Sequence, residues 1–367
     1  MPLLSRVCAL YRGEPSVIEE RPSPGLSHHL SSPSQLEVGA LPTPDLDGVT
    51  LPQHYARIAQ DSLRSSTFAY RLVGPEDVKL IGGKPMTAGG SADIWEATYD
   101  GRKVVLKSYR CYITFDVTQV AARFHNEVNM CSFLNHRDVD TVPFVGVYST
   151  EAHPFGLVYG YMDGLDLKQY LRNEPNVGRL KLLTDIARCL NRLHDLDIVH
   201  GDLQTANILV DKGNTVYIAG LGNTYILPHS AAWTAEGRTR TGRLSRSLAP
   251  ELAGLGTSPD VPDSTHPTKA SDMYAFGVMA FEFVHSGQVL TGRPPFHGMI
   301  EVAAAYSMLN GDRPPRPDHP EVSDRVWYMI ERCWNRIPSE RMSIGGAVDL
   351  LEAELRRIPD SRALSRA

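Results

Sequence analysis

The stretch His200-Gly-Asp-Leu-Gln-Thr-Ala-Asn-Ile-Leu-Val210 sets a carboxylate, Asp202, and a carboxamide, Asn207, five positions apart, directly ahead of an apolar run. A carboxylate can exchange a proton with a hydroxyl, and an amide offers both a donor and an oxygen acceptor. Read blandly, Asp202 does no more than bond to its own loop. Ile208, Leu209 and Val210 read as a buried strand that anchors that loop. Upstream, Lys107 closes the apolar run Val104-Val-Leu, and Glu127 falls in a segment of helical spacing. These two are either an unrelated lysine in a strand and glutamate in a helix, or a partly desolvated ion pair. Since breaking a buried pair costs roughly 3–5 kcal/mol, such a pair can persist for structural reasons alone. Gly89-Gly90 interrupts the strands before Lys107 with backbone free of Cβ restriction.

The elements that position these groups follow from periodicity. Residues 1 to about 50 are rich in Ser, Pro and Gly, without helical or strand period, and are expected to be a disordered arm reaching to residue 76, interrupted by a short amphipathic helix around Tyr55 to Leu63. From about Asp77 the spacing predicts a strand before Gly89-Gly90, then strands Ile94 to Tyr99 and Lys103 to Tyr109 joined by the turn Asp100-Gly101. A helix is predicted over 117 to 134, and strands over Val142 to Tyr148 and Phe155 to Met162. After Met162 the pattern turns helical, with Asp166 to Arg172 and then Leu180 to Asp195, whose Leu183, Ile186, Ala187, Leu190 and Leu193 form one apolar stripe. Met273 to Val284 is apolar on nearly every side, as in a helix buried within a large domain. Further helices are expected near 299 to 310, 323 to 334 and 345 to 357. The order is a small β-rich lobe with its hinge over 77–162, a large helical lobe over 163–358, and a tail over 359–367.

With 367 residues, 42% of them hydrophobic and 22% charged, the composition is that of a globular chain able to bury a sizeable core. A net charge of −5 lacks the basic footprint of a nucleic-acid binder, so nucleic acid is not an expected partner. Five scattered cysteines suggest neither a disulfide framework nor a zinc site, and fit a reducing, cytoplasmic setting. No apolar run is long enough to span a membrane, and no signal-peptide core opens the chain.

Taken together, residues 77 to 358 resemble the eukaryotic protein kinase domain, nearest to its tyrosine-kinase-like branch. Val104-Val-Leu-Lys107 resembles the third-strand Val-Ala-Ile-Lys, with Glu127 where the partner of that lysine is expected. Ala249-Pro250-Glu251 resembles the close of the activation segment. Ser271-Asp272 opens what looks like the helix whose aspartate ties down the catalytic loop, and Cys333-Trp334 with Pro338 and Arg341 looks like the C-terminal pattern of that branch, where Arg341 would pair with Glu251. The resemblance implies an α+β, bilobal fold and an ATP site. In it Lys107, held by Glu127, grips the phosphates; Asp202 orients a protein hydroxyl; Asn207 holds a metal ion; and Gly89 and Gly90 cover the phosphates. Tyr161 and Met162 lie in the hinge beside adenine, and Tyr159 gates and narrows the back of that pocket. His200 is expected to be a packed structural residue.

Several positions depart from the family pattern. Where the metal-binding aspartate of Asp-Phe-Gly is expected, the chain reads Gly220-Leu221-Gly222. Glycine supplies no ligand, and a loss of about 4 kcal/mol of charge stabilisation is near a thousandfold in rate. Gln204 stands where a lysine meets the transferred phosphate, keeping a hydrogen bond but losing the charge. Thr87-Ala-Gly-Gly-Ser-Ala92 keeps one of the loop's usual glycines, and Gly201 replaces the arginine that receives an activation-loop phosphate in many kinases. Arg238, Arg240, Arg243 and Arg246 lie among hydroxyl residues in a segment that reads either as a solvated loop or as a place for an acidic partner or phosphorylation. The expectation is an ATP-binding, pseudokinase-like protein for which magnesium is weak or dispensable, acting on or with another protein. The alternative is an active kinase with atypical metal binding.

Overall fold

The computed structural model describes residues 50–88, 91–111, 116–135, 137–174, 177–227, 244–253, 264, 266–284, 294–317 and 322–357. The Ser/Pro-rich arm before residue 50, Gly89, Gly90 and the tail lie outside these residues.

The first element, α1 (Leu51–Leu63), starts earlier than the helix expected near Tyr55. Thr50 caps it reciprocally: its hydroxyl accepts the Gln53 N–H at 3.4 Å, and Gln53 Oε1 accepts the Thr50 N–H at 3.1 Å, with Pro52 in the first turn. Ala59 and Leu63 are buried in the main core. Further on, the Val73 N–H donates to Val147 O and the Val147 N–H to Arg71 O, both at 2.8 Å. The arm expected to run to residue 76 therefore gives way to folded chain at residue 50. The reason is physical: two apolar residues of α1 complete the core, and residues 71–73 cover a sheet edge that would otherwise expose unpaired backbone groups.

The small lobe is an antiparallel sheet of β1 (Val78–Leu80), β2 (Thr87–Ala88), β3 (Ala92–Tyr99), β4 (Arg102–Tyr109), β5 (Phe144–Tyr148) and β6 (Gly156–Gly160), in the order β1-β3-β4-β6-β5 with β2 on β3. Asp100 and Gly101 turn between β3 and β4 with φ of 50° and 70°, the left-handed pair that a two-residue hairpin requires. Alternation along β4 sends Val104 and Leu106 into a small cluster on one face with Val78, Ala97 and Val158, while Tyr109 enters the main core on the other. Lys107 shares the Tyr109 face and so looks toward α2 (Val117–Leu134), which Asp116 caps by accepting the Thr118 N–H at 2.9 Å. Helix α1 packs on α2.

The large lobe begins with β7 (Leu165–Asp166), α3 (Leu167–Asn173) and α4 (Arg179–Asp195). Short strands β8 (Ile198–Val199), β9 (Ile208–Val210), β10 (Val216–Ile218) and β11 (Tyr225–Ile226) frame the loop of interest, β8 pairing with β11 and β9 with β7 and β10. Helices α5 (Pro250–Ala253), α6 (Lys269–Val284), α7 (Glu301–Asn310), α8 (Asp324–Cys333) and α9 (Ile344–Leu355) follow. Met273, Tyr274, Phe276, Phe281 and Phe283 of α6 are all buried. Gly277 lets α6 approach Trp334, where a Cβ would stand 2.8 Å from the backbone nitrogen. The fold is α+β, a β-rich small lobe followed by a helical large one.

Removing the α1 cap tests whether this helix belongs to the folded unit. Thr50→Ala is expected to cost about 1 kcal/mol in urea unfolding and to speed amide exchange within α1. An unchanged unfolding midpoint would return the helix to the arm.

Candidate functional site

Asp202 sits in a loop pinned from below by Asp272 of α6. The Asp272 carboxylate, 2% exposed, accepts the N–H of His200 at 2.8 Å and that of Gly201 at 2.9 Å, and lies 3.0 Å from His194 Nε2. His200 is wholly buried. Its Nδ1 accepts the Asp202 N–H at 3.2 Å, so the ring proton sits on Nε2, which donates to Ala219 O at 3.0 Å. A histidine bonded at both nitrogens is structural, as expected. Gly201 has φ +75°, and a Cβ there would meet Asn223 O at 2.5 Å, so this backbone shape suits glycine in place of the usual arginine.

Asp202 itself is surrounded by amides. Gln204 Nε2 donates to its Oδ1 at 3.0 Å, Asn207 Nδ2 to its backbone oxygen at 2.7 Å, and Asn223 Nδ2 lies 3.5 Å from its Oδ2. Burial raises the Asp202 carboxyl above the ordinary range, opposed by the His200 ring, the Asn207 amide and the cations Arg123 and Lys107.

Above the loop, Lys107 Nζ lies 2.7 Å from each oxygen of Glu127, a carboxylate 1% exposed. Such burial is unfavourable unless donors replace water, and two further donors do so. Tyr159 Oη donates to Glu127 Oε1 at 2.8 Å, and the Tyr109 hydroxyl donates to Oε2. Burial first, then neighbouring negative groups including Glu127, hold both phenols above their usual range, which keeps them protonated as donors. Asn126 next fastens α2 to the segment below: its Nδ2 donates to Gly222 O at 3.0 Å and Thr224 O at 2.6 Å.

Gly220 has φ +76° and ψ 39°, a left-handed conformation. A Cβ built there would stand 2.5 Å from Asn207 Oδ1, 2.6 Å from its Cγ and 2.8 Å from its Nδ2. The Asn207 carboxamide thus leans into the volume that a side chain at residue 220 would take, while its amide hydrogens hold the Asp202 carbonyl. Gly222 is similarly crowded, with the Tyr109 hydroxyl 2.6 Å from its Cβ position. The donor set fits a triphosphate through Lys107. It does not fit a pair of divalent ions: residue 220 offers no side-chain oxygen, Asn207 offers one amide oxygen, and the described residues contain no group of three or more His, Cys, Asp and Glu able to hold a metal.

Asp202 and Asn207 share the loop below, Lys107 and Glu127 pair above it, and Gly222 stands between them with its Cβ position 3.5 Å from Glu127 Oε2. Tyr161 and Met162 follow β6 as irregular, partly buried chain, with Lys103 Nζ 5.0 Å from the Tyr161 ring centroid. Gly89 and Gly90 lie outside the described residues. Tyr109, Asn126 and Asn223 were missed by sequence reasoning. Tyr109 carried a signal, since it stands two residues after Lys107 on the same face of a strand. Of the basic cluster, Arg238, Arg240 and Arg243 lie outside the described residues. Arg246 is not solvated: it is 7% exposed, bonded to Pro295 O at 2.7 Å and Met299 O at 2.9 Å, and paired with Glu301. A guanidinium satisfied in this way is an anchor for the loop rather than a recognition surface.

A sheet lysine meeting a helix glutamate, above a helical lobe whose buried aspartate holds an Asp–Asn loop, defines a protein kinase domain. The chain belongs to the protein tyrosine and serine/threonine kinase family, whose profile matches residues 81–351. It is 24% identical over 284 residues to serine/threonine-protein kinase STY17 of Arabidopsis thaliana, an alignment covering 76% of this chain and 45% of that one. With serine/threonine/tyrosine-protein kinase HT1 of the same plant it shares 26% identity over 282 residues, 75% and 66% of the two chains. With serine/threonine-protein kinase PkaA of Streptomyces coelicolor it shares 30% over 262 residues, 70% and 44%. The chain spans less than half the length of STY17 and of PkaA. No helix among the described residues is long and apolar enough to cross a membrane.

Proposed function

We propose that this kinase domain binds ATP with little dependence on magnesium and that its phosphotransfer to protein hydroxyls is weakened or lost, leaving a cytoplasmic signalling or scaffolding role exercised on a protein partner. The observation that carries this reading is the Asn207 carboxamide lying over Gly220, where the family places a metal-binding carboxylate. Lys107, fixed by Glu127, remains to receive phosphates, and the hinge backbone from Gly160 to Met162 remains to receive adenine. A second reading, an active kinase with atypical metal binding, is supported by the Asp202 carboxylate, whose Oδ1 accepts the Gln204 amide at 3.0 Å.

Two measurements separate these readings. In thermal denaturation, ligand binding stabilises by RT ln(1 + [L]/Kd), about 2.7 kcal/mol at a hundredfold excess over Kd. ATP is expected to stabilise the chain to nearly the same extent with EDTA as with Mg²⁺; stabilisation confined to the Mg²⁺ sample would refute the proposal. In a radiolabelled ATP assay with Mg²⁺ or Mn²⁺, turnover that vanishes in Asp202→Ala would establish the active kinase instead.

A further inference from the structure

Arg123 stands one helical turn before Glu127 on α2, so the two side chains leave the same face of the helix. Its carbonyl lies 3.5 Å from the Cβ position of Gly222, which sets this turn of α2 against the Gly220-Leu221-Gly222 segment, and Asn126 fastens it there. Arg123 is partly buried. No hydrogen bond, ion pair or ring contact engages its guanidinium among the described residues, in contrast to Arg246 and Arg341. A partly desolvated cation with no such partner among the described residues gains from an anion that joins it. Its charge opposes in part the burial that raises the Asp202 carboxyl below and the Tyr109 phenol above. Meanwhile Lys107 is already matched by Glu127, and residue 220 adds neither charge nor metal ligand. A triphosphate entering the cleft therefore needs positive charge that the pair does not supply.

We propose that Arg123 binds the terminal phosphate of a nucleoside triphosphate, its guanidinium standing in for the divalent charge that residue 220 does not hold. A guanidinium suits this task, since its planar fork meets phosphate oxygens in pairs and it stays charged at any working pH. The inference rests on the nucleotide-binding reading above. The same anion chemistry could come from a phosphate carried by the chain itself on a Ser or Thr, so the test separates the two sources.

The experiment is calorimetric titration of the full chain with ATP, ADP and AMP in EDTA, for the wild type, Arg123→Ala and Arg123→Lys, with intact mass recorded before and after phosphatase treatment. Arg123→Ala is expected to weaken ATP by about tenfold or more while leaving AMP within about twofold, with Arg123→Lys between the two. Unchanged ATP affinity in Arg123→Ala overturns the proposal. So does an equal loss for ATP and AMP, which marks a purely structural residue. It is overturned as well if the wild type carries a covalent phosphate whose removal reproduces the Arg123→Ala effect. Failure of the wild type to bind any of the three nucleotides removes the underlying nucleotide reading, a result distinct from the other outcomes.

Discussion

Replacing Gly220 with aspartate is expected to turn the proposed metal-indifferent ATP binding into magnesium-dependent binding, a roughly hundredfold tightening by Mg²⁺ adding about 2.7 kcal/mol of stabilisation at saturating ATP. The backbone at residue 220, φ +76° and ψ 39°, lies in the left-handed region, which costs most L-residues about 1–2 kcal/mol but which aspartate and asparagine visit more readily than others. The obstacle is the Asn207 carboxamide, whose oxygen stands 2.5 Å from the new Cβ. It is the end of a flexible side chain, held by a 2.7 Å bond to the Asp202 carbonyl and a longer one of 3.4 Å to its Oδ2, so it can swing away. Doing so costs the free protein a hydrogen bond, about 1 kcal/mol, and turns the amide oxygen outward. A carboxylate from residue 220 and that oxygen then bracket a hard cation between them. Since a metal clamp contributes several kcal/mol to phosphoryl transfer and about 4 kcal/mol is near a thousandfold in rate, turnover should rise with binding. Thermal denaturation with ATP in EDTA or Mg²⁺ checks the first effect, and radiolabelled transfer, with Asp202→Ala in the same background, checks the second. A variant that gains neither places the deficit in Gln204 or in the loop around Gly89 and Gly90.

Much of this site was legible because its parts sit on strongly periodic elements. The apolar spacing from Val117 to Cys131 marks α2 at the bounds it adopts and the apolar run marks α6, while the resemblance to the kinase domain is what assigns Glu127 to Lys107 and Asp272 to the loop it pins. What escaped depends on how separate elements approach one another. The period of two along β4 puts Tyr109 on the Lys107 face, but only the closeness of α2 to the sheet lets its hydroxyl reach Glu127. The collapse of Asn207 over Gly220 joins residues thirteen positions apart, and nothing local records which of two neighbours fills a missing side chain's volume. The helix near Tyr55 to Leu63 is legible from its amphipathic spacing, but that its Ala59 and Leu63 complete the main core depends on how it meets distant elements. Arg246 sits among residues that read as solvent-facing, and its burial is set by carbonyls some fifty positions away.

Arg341→Ala is expected to destabilise the large lobe by about 3–5 kcal/mol, the range for removing one partner of a buried ion pair. The Arg341 and Glu251 side chains are 1% and 3% exposed and meet through two bonds, Nη1 to Oε1 and Nη2 to Oε2, each 2.7 Å. Arg341 also donates to Asn335 O and Ala270 O at 2.8 Å, and its guanidinium lies 5.1 Å from the centroid of the buried Tyr274 ring. One side chain thereby joins the start of α5, the start of α6 and the turn after α8. Truncating it leaves the Glu251 carboxylate in the interior with no counterion, and the carbonyls at 270 and 335 lose a donor, so the loss exceeds that of the pair alone. Glu251→Gln should cost less than Arg341→Ala, since the amide oxygen still accepts one bond and no buried charge is stranded on the acid side. Replacing both partners with apolar residues of similar volume, Arg341→Met with Glu251→Leu, should be milder than Arg341→Ala, because neither desolvated charge remains. Urea unfolding of the four proteins measures the comparison. A single-variant loss below about 1 kcal/mol would mean that water screens the pair as it does a surface bridge. A double variant as unstable as Arg341→Ala would shift the weight from the ion pair to the carbonyls that the guanidinium gathers.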